Sequence, residues 1–187
     1  MTRLNRVYMV RHGRASAGWD TALDPGLDEM GQAQAREAAD QLQSLQLGNL
    51  ITSPLLRCQQ TAAPLAQMWN VAPQVRAEVS EIPSPKGVVM SDRIVWLRNA
   101  MQGTWSDLGP DYVAYRDCIT DFVRGIQTDT VIFSHFIAIN AVIGGVLGDD
   151  RLVIRSLDNC SITVFERDAT GNLSLVQGGH EADTLIR

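Results

Sequence analysis

The stretch Val7-Tyr8-Met9-Val10-Arg11-His12-Gly13 places a short apolar run directly before two basic residues and a glycine. The run has no alternation of polar and apolar residues, which is typical of a strand buried on both faces of a sheet. Such strands belong to parallel sheets that are covered by helices on both sides. The stretch therefore predicts an α/β fold, with Arg11 and His12 at the carboxyl end of the first strand.

The rest of the chain continues this alternation of short apolar runs and helical patterns. Further strands are predicted at 49–52, 75–79 and 130–133, and a terminal hairpin at 161–166 and 173–176. Helices are predicted at 28–47, 55–69, 91–101, 111–126 and 137–147, with Ser53 as the candidate N-cap of the second. This order predicts a three-layer α/β/α sandwich around a mostly parallel mixed sheet.

The length of 187 residues predicts a single domain, 1–187. Residues 84–111 interrupt the alternation of strands and helices, and they are the candidate lid or cap segment. The stiff stretch Ile82-Pro83-Ser84-Pro85 leads into this segment and cannot be the interior of a strand.

Composition excludes several classes of protein. The net charge of −5 argues against a general nucleic-acid surface. The apolar stretch within residues 1–10 is too short for a signal peptide, and no run approaches the length of a membrane span. We expect a soluble, cytoplasmic protein with neither nucleic acid nor a membrane as a partner; a homodimer stays open.

The three cysteines, Cys58, Cys118 and Cys160, are widely spaced and form no C-x-x-C motif. This pattern argues against a disulfide framework and against a zinc site. Cys118 falls on the apolar stripe of the predicted helix 111–126, which predicts a buried thiol.

Basic side chains follow three of the predicted strands. Arg11 and His12 come after the first strand, Arg57 follows the second by one helical turn, and His135 comes after the strand at 130–133. Ligands of open α/β sheets bind outside the carboxyl ends of the strands. If these strands are parallel, all four basic residues meet at one edge of the sheet.

The predicted ligand of this edge is a dianion. The helices that begin near Pro54 and Phe136 would direct their N-termini, with unpaired N–H groups and partial positive charge, to the same place. Arginine offers two parallel donors that match phosphoryl oxygens. Free phosphate or a phosphorylated substrate is therefore the expected partner.

Several stretches resemble motifs of the histidine phosphatase superfamily, which has the phosphoglycerate-mutase-like fold. They occur in family order between residues 7 and 166. Arg11-His12-Gly13 matches R-H-G, and the stretch from Leu27 through Gly31-Gln32-Ala33 resembles L-T-x-x-G-x-x-Q-A with Asp28 in place of threonine. Residues 53–62 are close to S-P-L-x-R-x-x-Q-T-A, Ser134-His135 stands where the family keeps its second histidine, and residues 159–164 resemble N-x-S-x-T-x.

The resemblance implies covalent catalysis. His12 would attack phosphorus and become phosphohistidine, which water then hydrolyses. Arg11, Arg57 and His135 would bind the phosphoryl group and lower the pKa of His12, and neither a metal nor a cofactor is needed. Glu81 is the candidate general acid.

Glu78 is the alternative to Glu81 as the proton donor. In a strand the two side chains would face opposite sides, so at most one should enter the pocket.

Four departures from the family pattern favour a phosphatase over a mutase. Gly18 stands where mutases place an asparagine, and 82–85 replaces the mutase stretch after the acidic residue. Arg14 stands in place of glutamate or glutamine, where it could add charge at the pocket mouth or be solvated, and solvation is the default. Phe136 replaces a glycine and either narrows the pocket or packs beneath it.

The expected function is hydrolysis of a small phosphorylated metabolite. A phosphoprotein (phosphohistidine) phosphatase, a mutase-type phosphotransferase and a non-catalytic phosphate-binding scaffold are the alternatives. A metal site formed by His12, Glu81 and His135 is a further alternative, which the flanking arginines disfavour because they repel a cation.

Five residues outside the motifs have weaker assignments. Trp96 or Trp105 could border the pocket, although packing is the default for both. Arg93 or Arg98 could recognise a second anionic group from the candidate lid, although solvent exposure is the default. His180 has no motif around it and is expected at the surface.

Overall fold

The apolar run at the start of the chain becomes a central strand of a six-stranded sheet in the computed structural model, which describes residues 4–182. The strands are β1 (Asn5–Arg11), β2 (Leu50–Thr52), β3 (Gln74–Val75), β4 (Thr130–Ser134), β5 (Ile162–Arg167) and β6 (Leu173–Gln177). Their order in the sheet is β3-β2-β4-β1-β5-β6. The first four strands are parallel, whereas β5 and β6 form an antiparallel hairpin beside β1. The predicted mixed, mostly parallel sheet is confirmed.

Helices cover both faces of this sheet. They are α1 (Glu29–Leu42), α2 (Leu56–Trp69), α3 (Arg93–Ala100), α4 (Trp105–Leu108), α5 (Pro110–Arg124) and α6 (Phe136–Leu147). Val10 of β1 packs in one apolar core with residues of α1 and α2, and Met9 packs in the other with residues of α3, α5 and α6. Successive residues of β1 thus face opposite cores, which explains the unbroken apolar run. The predicted α/β/α sandwich is confirmed.

The starts of the first two helices differ in how they are capped. Asp28, which replaces the family's threonine, caps α1 by accepting a hydrogen bond of 2.8 Å from the backbone N–H of Gly31. The prediction of Ser53 as the cap of α2 is wrong. The N-cap residue is Leu55, whose own dihedral angles are extended, and Ser53 Oγ accepts from the N–H of Leu55 instead.

The predicted strand 75–79 is mostly a turn. β3 contains only Gln74 and Val75, both exposed at the edge of the sheet, and residues 77–79 form a single 3₁₀ turn. The turn buries Val79, whose carbonyl accepts a hydrogen bond of 2.8 Å from Ser134 Oγ. An edge strand can pair on one side only. Burial of Val79 therefore stabilises the chain more than continued pairing of β3 with β2 would.

The candidate lid, residues 84–111, contains α3 and α4. Ile94, Leu97 and Trp105 of this segment are buried in the core that also holds α5 and α6. Trp105 is fully buried, with its ring 5.8 Å from that of Tyr115, so the hypothesis that it borders the pocket is wrong.

The prediction of a buried Cys118 is also wrong. Cys118 is exposed, whereas the buried residues of α5 are Ile119, Thr120 and Val123. One residue corresponds to about 100° around a helix, so Cys118 lies just off the buried stripe. Within residues 4–182, no helix is long and apolar enough to cross a membrane.

Candidate active site

The four basic residues predicted to converge do meet at the carboxyl edge of the sheet. Arg11 ends β1 and His12 follows it, Arg57 lies in the first turn of α2, and His135 directly precedes α6. The ring centroids of His12 and His135 are 5.3 Å apart. All four side chains are buried, although His12, Arg11 and Arg57 also line a cavity.

The guanidinium of Arg57 bridges the two imidazoles. Its Nε–H donates to Nε2 of His12 over 3.2 Å, and its Nη2 donates to Nδ1 of His135 over 3.2 Å. Its Nη1 is buried and has no hydrogen-bond partner among residues 4–182. A buried donor without a partner is costly, and a phosphoryl oxygen is the kind of acceptor that would satisfy it.

Backbone contacts fix the orientation and the tautomer of His12. Nδ1 lies 2.8 Å from the carbonyl oxygen of Gly13, and since a carbonyl only accepts, the proton is on Nδ1. The backbone N–H of His12 donates to Ser134 O, and Asn159 Nδ2 donates to His12 O, each over 3.0 Å. The lone pair on Nε2 is therefore available as a nucleophile.

His135 is held in the complementary tautomer. Because its Nδ1 accepts from Arg57, its Nε2 carries the proton and donates to Ser53 Oγ over 2.8 Å. The thiol of Cys58 lies 3.4 Å from the same nitrogen. The serine expected to cap α2 thus orients His135, a role that the sequence motif did not reveal.

Three further motif residues, Gly13, Gly31 and Thr61, hold the loop that carries His12 in position. The N–H of Gly13 donates to Thr61 Oγ1 over 3.0 Å, and Thr61 Oγ1 donates to Arg57 O over 2.6 Å. A Cβ atom on Gly13 would lie 2.5 Å from the carbonyl oxygen of Gly31, a distance that no real contact allows. The two glycines of the R-H-G and L-D-E-M-G stretches are therefore required by the same close approach of two backbones.

The pKa values of both histidines are lowered well below that of free imidazole. Burial is the largest cause for each, and the positive charge of Arg57 is the second. Arg11 adds to the effect on His12. The sequence predicted the contribution of the charges but not the larger contribution of burial. Both imidazoles are neutral near pH 7, as a nucleophilic His12 requires.

Arg11 is anchored from two sides. Its Nη1 donates to the carbonyl of Leu157 over 2.5 Å, and its guanidinium carbon lies 5.0 Å from the ring centroid of Phe136. Burial lowers the pKa of Arg11 to about 10, so the group stays charged at neutral pH. Phe136 lines the cavity and packs against Arg11.

Of the two candidate acids, Glu81 is the one that lines the cavity. Burial raises the pKa of its carboxyl group, while the N–H of Ile82 and the charge of Arg57 oppose that shift. Glu78 lies in the 3₁₀ turn and pairs with Arg76 over 2.5 Å, so it does not line the cavity. A protonated carboxylic acid at Glu81 has the character expected of a general acid.

The N–H groups of the two predicted helix N-termini have different partners. An N–H of α6, that of Ile137, acts on the Glu81 carboxyl, which lines the cavity. The first N–H of α2, at Leu56, instead donates to Asp24 Oδ1 over 2.8 Å. The α2 helix therefore contributes Arg57 to the site, while this N–H group is used by a loop carboxylate.

Arg14 lines the cavity mouth and is paired, so the expectation of a merely solvated side chain is wrong. Its Nε lies 2.5 Å from Oδ2 of Asp28, the residue that caps α1. Asp28, which stands where the family has threonine, thus offsets the charge of Arg14.

Trp19 is one of the cavity residues that sequence reasoning missed. It is nearly buried, and Trp96 stacks on it with ring centroids 6.1 Å apart. Arg93 places its guanidinium carbon 4.4 Å from the Trp19 ring centroid and donates to Ser84 Oγ, so it does not merely face solvent. The loop that carries Trp19 has no periodic pattern, and hence no signal in the sequence marked it.

Two other peripheral predictions agree with the structure. His180 and Arg98 are exposed, as their lack of motif context indicated.

Between residues 4 and 182, no group of three His, Cys, Asp or Glu side chains is arranged to hold a metal ion. Arg57 lies against both imidazoles, so the side chains present do not fit the metal-site alternative.

The chain matches a family profile and several curated relatives. The profile of the histidine phosphatase superfamily (branch 1) matches residues 7–86. The chain is 30% identical over 151 residues to the uncharacterized protein Rv0525 of Mycobacterium tuberculosis, covering 72% of this chain and 75% of that one. It is 27% identical over 183 residues to a probable phosphoglycerate mutase GpmB of Photorhabdus laumondii, covering 84% and 83% of the two chains.

The fold has close counterparts among solved structures. Mycobacterial glucosyl-3-phosphoglycerate phosphatase Rv2419c superposes with a TM-score of 0.73 at 21% identity, covering 93% of this chain and 98% of that one. The profile match includes Arg11, His12 and Arg57, and the fold brings His135 to them. The chain belongs to the histidine phosphatase superfamily.

Proposed function

We propose that this protein is a phosphomonoester hydrolase that acts on a small phosphorylated compound through a phosphohistidine on His12. One observation carries the proposal: the Nδ1–H of His12 is bound to Gly13 O, and its unprotonated Nε2 contacts the guanidinium of Arg57 beside a cavity. This combination supplies a neutral, oriented nucleophile next to a group that binds phosphoryl oxygens.

In the first step the Nε2–P bond forms and the ester P–O bond breaks. Phosphoryl oxygens replace His12 as the acceptors for Arg57, whose buried Nη1 also gains a partner. Arg11 and Arg57 offset the charge on the phosphoryl oxygens, and neutral His135 orients the Arg57 guanidinium by accepting from its Nη2. The Gly13 carbonyl stabilises the Nδ1–H of the phosphorylated ring.

Glu81 moves the protons in both steps. In its protonated form, which its raised pKa favours, it donates to the leaving alkoxide. As a carboxylate it then accepts a proton from the water that attacks phosphorus. The N–P bond breaks, His12 returns to its neutral form, and inorganic phosphate leaves. Two guanidinium groups supply the positive charge, so the proposed reaction needs no metal ion.

The size of the cavity supports a small substrate. It has a volume of about 480 Å³, within the range of small-molecule sites, and α3 contributes Leu97 to its wall. We propose that residues 84–111 act as its cover. The related protein named glucosyl-3-phosphoglycerate phosphatase also acts on a small phosphorylated compound, as its name states.

The function is tested by a hydrolysis assay with p-nitrophenyl phosphate and a panel of phosphorylated metabolites, in the presence of EDTA. We expect release of phosphate that His12→Ala lowers by about a thousandfold or more. His180→Ala is the matched control, because His180 is exposed and outside the cavity, and it should retain wild-type activity. Absence of hydrolysis by folded protein, or full activity in His12→Ala, would refute the proposal.

A further inference from the structure

We propose that the substrate is a phosphomonoester of an apolar, uncharged alcohol, with an alkyl or aryl group that lies against Trp19, Met30 and Leu97. This inference rests on the proposed phosphatase function and names its substrate class. It follows from the part of the cavity that extends beyond the phosphoryl-binding residues.

The outer walls of the cavity are mainly apolar. Besides Phe136 and Ala182, the nonpolar side chains that line it are Ala15, Ala17, Trp19, Pro25, Met30 and Leu97. A phosphoryl group fills only a small part of the volume of about 480 Å³, so the walls contact the leaving group of the ester. Removal of an apolar group from water against such walls is favourable in proportion to the area buried.

Several polar groups of the same walls are hydrogen-bonded within the protein. Arg14 Nε pairs with Asp28, and Gln34 Oε1 accepts from the backbone N–H of Arg14 over 2.9 Å. Asn159 Nδ2 donates to His12 O, and Asp158 Oδ1 accepts from the N–H of Asn159. A hydroxyl-bearing leaving group would find Nε of Arg14 and Nδ2 of Asn159 already in use, and competition for these donors costs binding free energy.

Trp19 is held in place before any ligand binds. Trp96 stacks on its ring, and the guanidinium of Arg93 lies over it at 4.4 Å. A rigid aromatic wall binds an apolar group with little loss of conformational entropy. Met30 is about half exposed at 51%, and its flexible thioether can adapt to groups of different shape.

Arg93 is the obvious rival feature, because a cation near the cavity could recognise a second anionic group. Its side chain packs on Trp19 and donates to Ser84 Oγ, and its Nη1 is buried. It is not among the residues that line the cavity. Arg14 does line the cavity, but Asp28 pairs with it and offsets its charge. These contacts favour the uncharged leaving group, and a preference for a dianionic substrate is an outcome that the test can detect.

The test compares primary alkyl phosphates, whose leaving alcohols have similar chemistry. The substrates are ethyl, hexyl and benzyl phosphate, with glycerol 1-phosphate as the hydroxylated member and 3-phosphoglycerate as the member with a second anionic group. We expect kcat/KM for hexyl and benzyl phosphate to exceed that for ethyl phosphate about tenfold or more, from burial of the added apolar area. Glycerol 1-phosphate and 3-phosphoglycerate should not exceed ethyl phosphate.

Three variants test which residues cause the preference for apolar esters. Trp19→Ala and Met30→Gln should lower the ratio of kcat/KM for hexyl over ethyl phosphate several-fold. Met68→Gln is the matched control, because Met68 is a similarly exposed methionine, at 47%, on α2 outside this cavity, and it should keep the wild-type ratio. Since Trp19 belongs to the apolar core, Met30→Gln decides the question if Trp19→Ala does not fold.

The outcomes separate this inference from the function on which it rests. A preference for the apolar esters that falls in Met30→Gln supports both. The substrate class is refuted if His12-dependent hydrolysis has equal rates for all esters, or if 3-phosphoglycerate or glycerol 1-phosphate is preferred. The proposed phosphatase function is retained in either case. Absence of hydrolysis of every ester by folded protein overturns both.

Discussion

The Nε–H of Arg57 donates to Nε2 of His12 over 3.2 Å, while the Nδ1–H of the same imidazole is bound to Gly13 O. One ring nitrogen is thus committed to the backbone, and the other contacts the group that we expect to bind phosphate. This contact explains why the two residues belong together in the mechanism, although they come from different strand–helix junctions.

Replacement of Arg57 by glutamine should have two effects that are measured separately. Loss of the guanidinium should lower kcat/KM by about a hundredfold or more, because charge and two donors are lost together. The pKa of His12 should rise, since Arg57 is one cause of its depression, yet stay below its ordinary value, since burial is the larger cause. NMR titration of the His12 ring measures the pKa. A His12 pKa that is unchanged or lowered would contradict the assigned role of this charge.

Glu81→Gln should affect substrates according to their leaving group. An alkyl phosphate needs a proton on its leaving oxygen, so phosphorylation of His12 by ethyl phosphate should slow about a hundredfold or more. p-Nitrophenolate needs no proton, so a burst of p-nitrophenol should persist while its later turnover slows. Rapid-mixing kinetics distinguish the two phases. Glu78→Gln is the control, because Glu78 pairs with Arg76 away from the cavity, and equal losses in both variants would count against Glu81.

Stability should fall as the pH drops below about 6.5, the ordinary pKa of histidine. The pKa values of His12 and His135 are lowered in the folded protein, so below this pH the unfolded chain binds protons that the folded chain does not. Each histidine should contribute about 1.4 kcal/mol per pH unit to the slope of the unfolding free energy. Urea unfolding between pH 7 and pH 5 measures this slope.

The matched variants for this measurement are His12→Gln and His180→Gln. The first should reduce the slope by about 1.4 kcal/mol per pH unit, whereas the second controls for the replacement of a histidine at an exposed position. A wild-type slope in His12→Gln would show that His12 titrates alike in the folded and unfolded states.

Gly31→Ala should destabilise the fold and disturb the loop that carries His12. A Cβ atom at this position would overlap the backbone of Arg14, two residues after His12, and neither backbone can move without breaking its contacts. We expect a loss of about 2 kcal/mol or more in thermal or urea unfolding, together with reduced activity. Gly125→Ala is the control, because its Cβ would make only ordinary contacts at 3.4 Å. Equal stability of the two variants would argue against the close approach.

The convergence of the four basic residues was predictable because parallel strands present their carboxyl ends at one edge. The unbroken apolar run of β1 indicated burial on both faces, and this placed Arg11 and His12 correctly. Edge elements were less predictable: β3 is two residues long because burial of Val79 ends it, and no local pattern encodes that competition. This error matters for function, since it removes Glu78 from the strand and leaves Glu81 to line the cavity.

The substrate-facing part of the site was mostly invisible in the sequence. Trp19 lies in a loop without periodicity, and its place in the cavity depends on contacts with Trp96 and Arg93 from a distant helix. The burial that lowers the pKa of His12 likewise arises from tertiary packing, which composition does not report. Motif residues such as Ser53 were recognised, but their hydrogen-bond partners became clear only in three dimensions.

The most direct test of the central claim is to trap the intermediate. Protein mixed with excess p-nitrophenyl phosphate is quenched within milliseconds in alkali, which preserves phosphohistidine, and its peptides are mapped by mass spectrometry. The mechanism predicts one acid-labile phosphoryl group on His12, formed during the burst and absent from His12→Ala. A phosphoryl group on another residue, or steady turnover in which no phosphorylated His12 is formed, would contradict it.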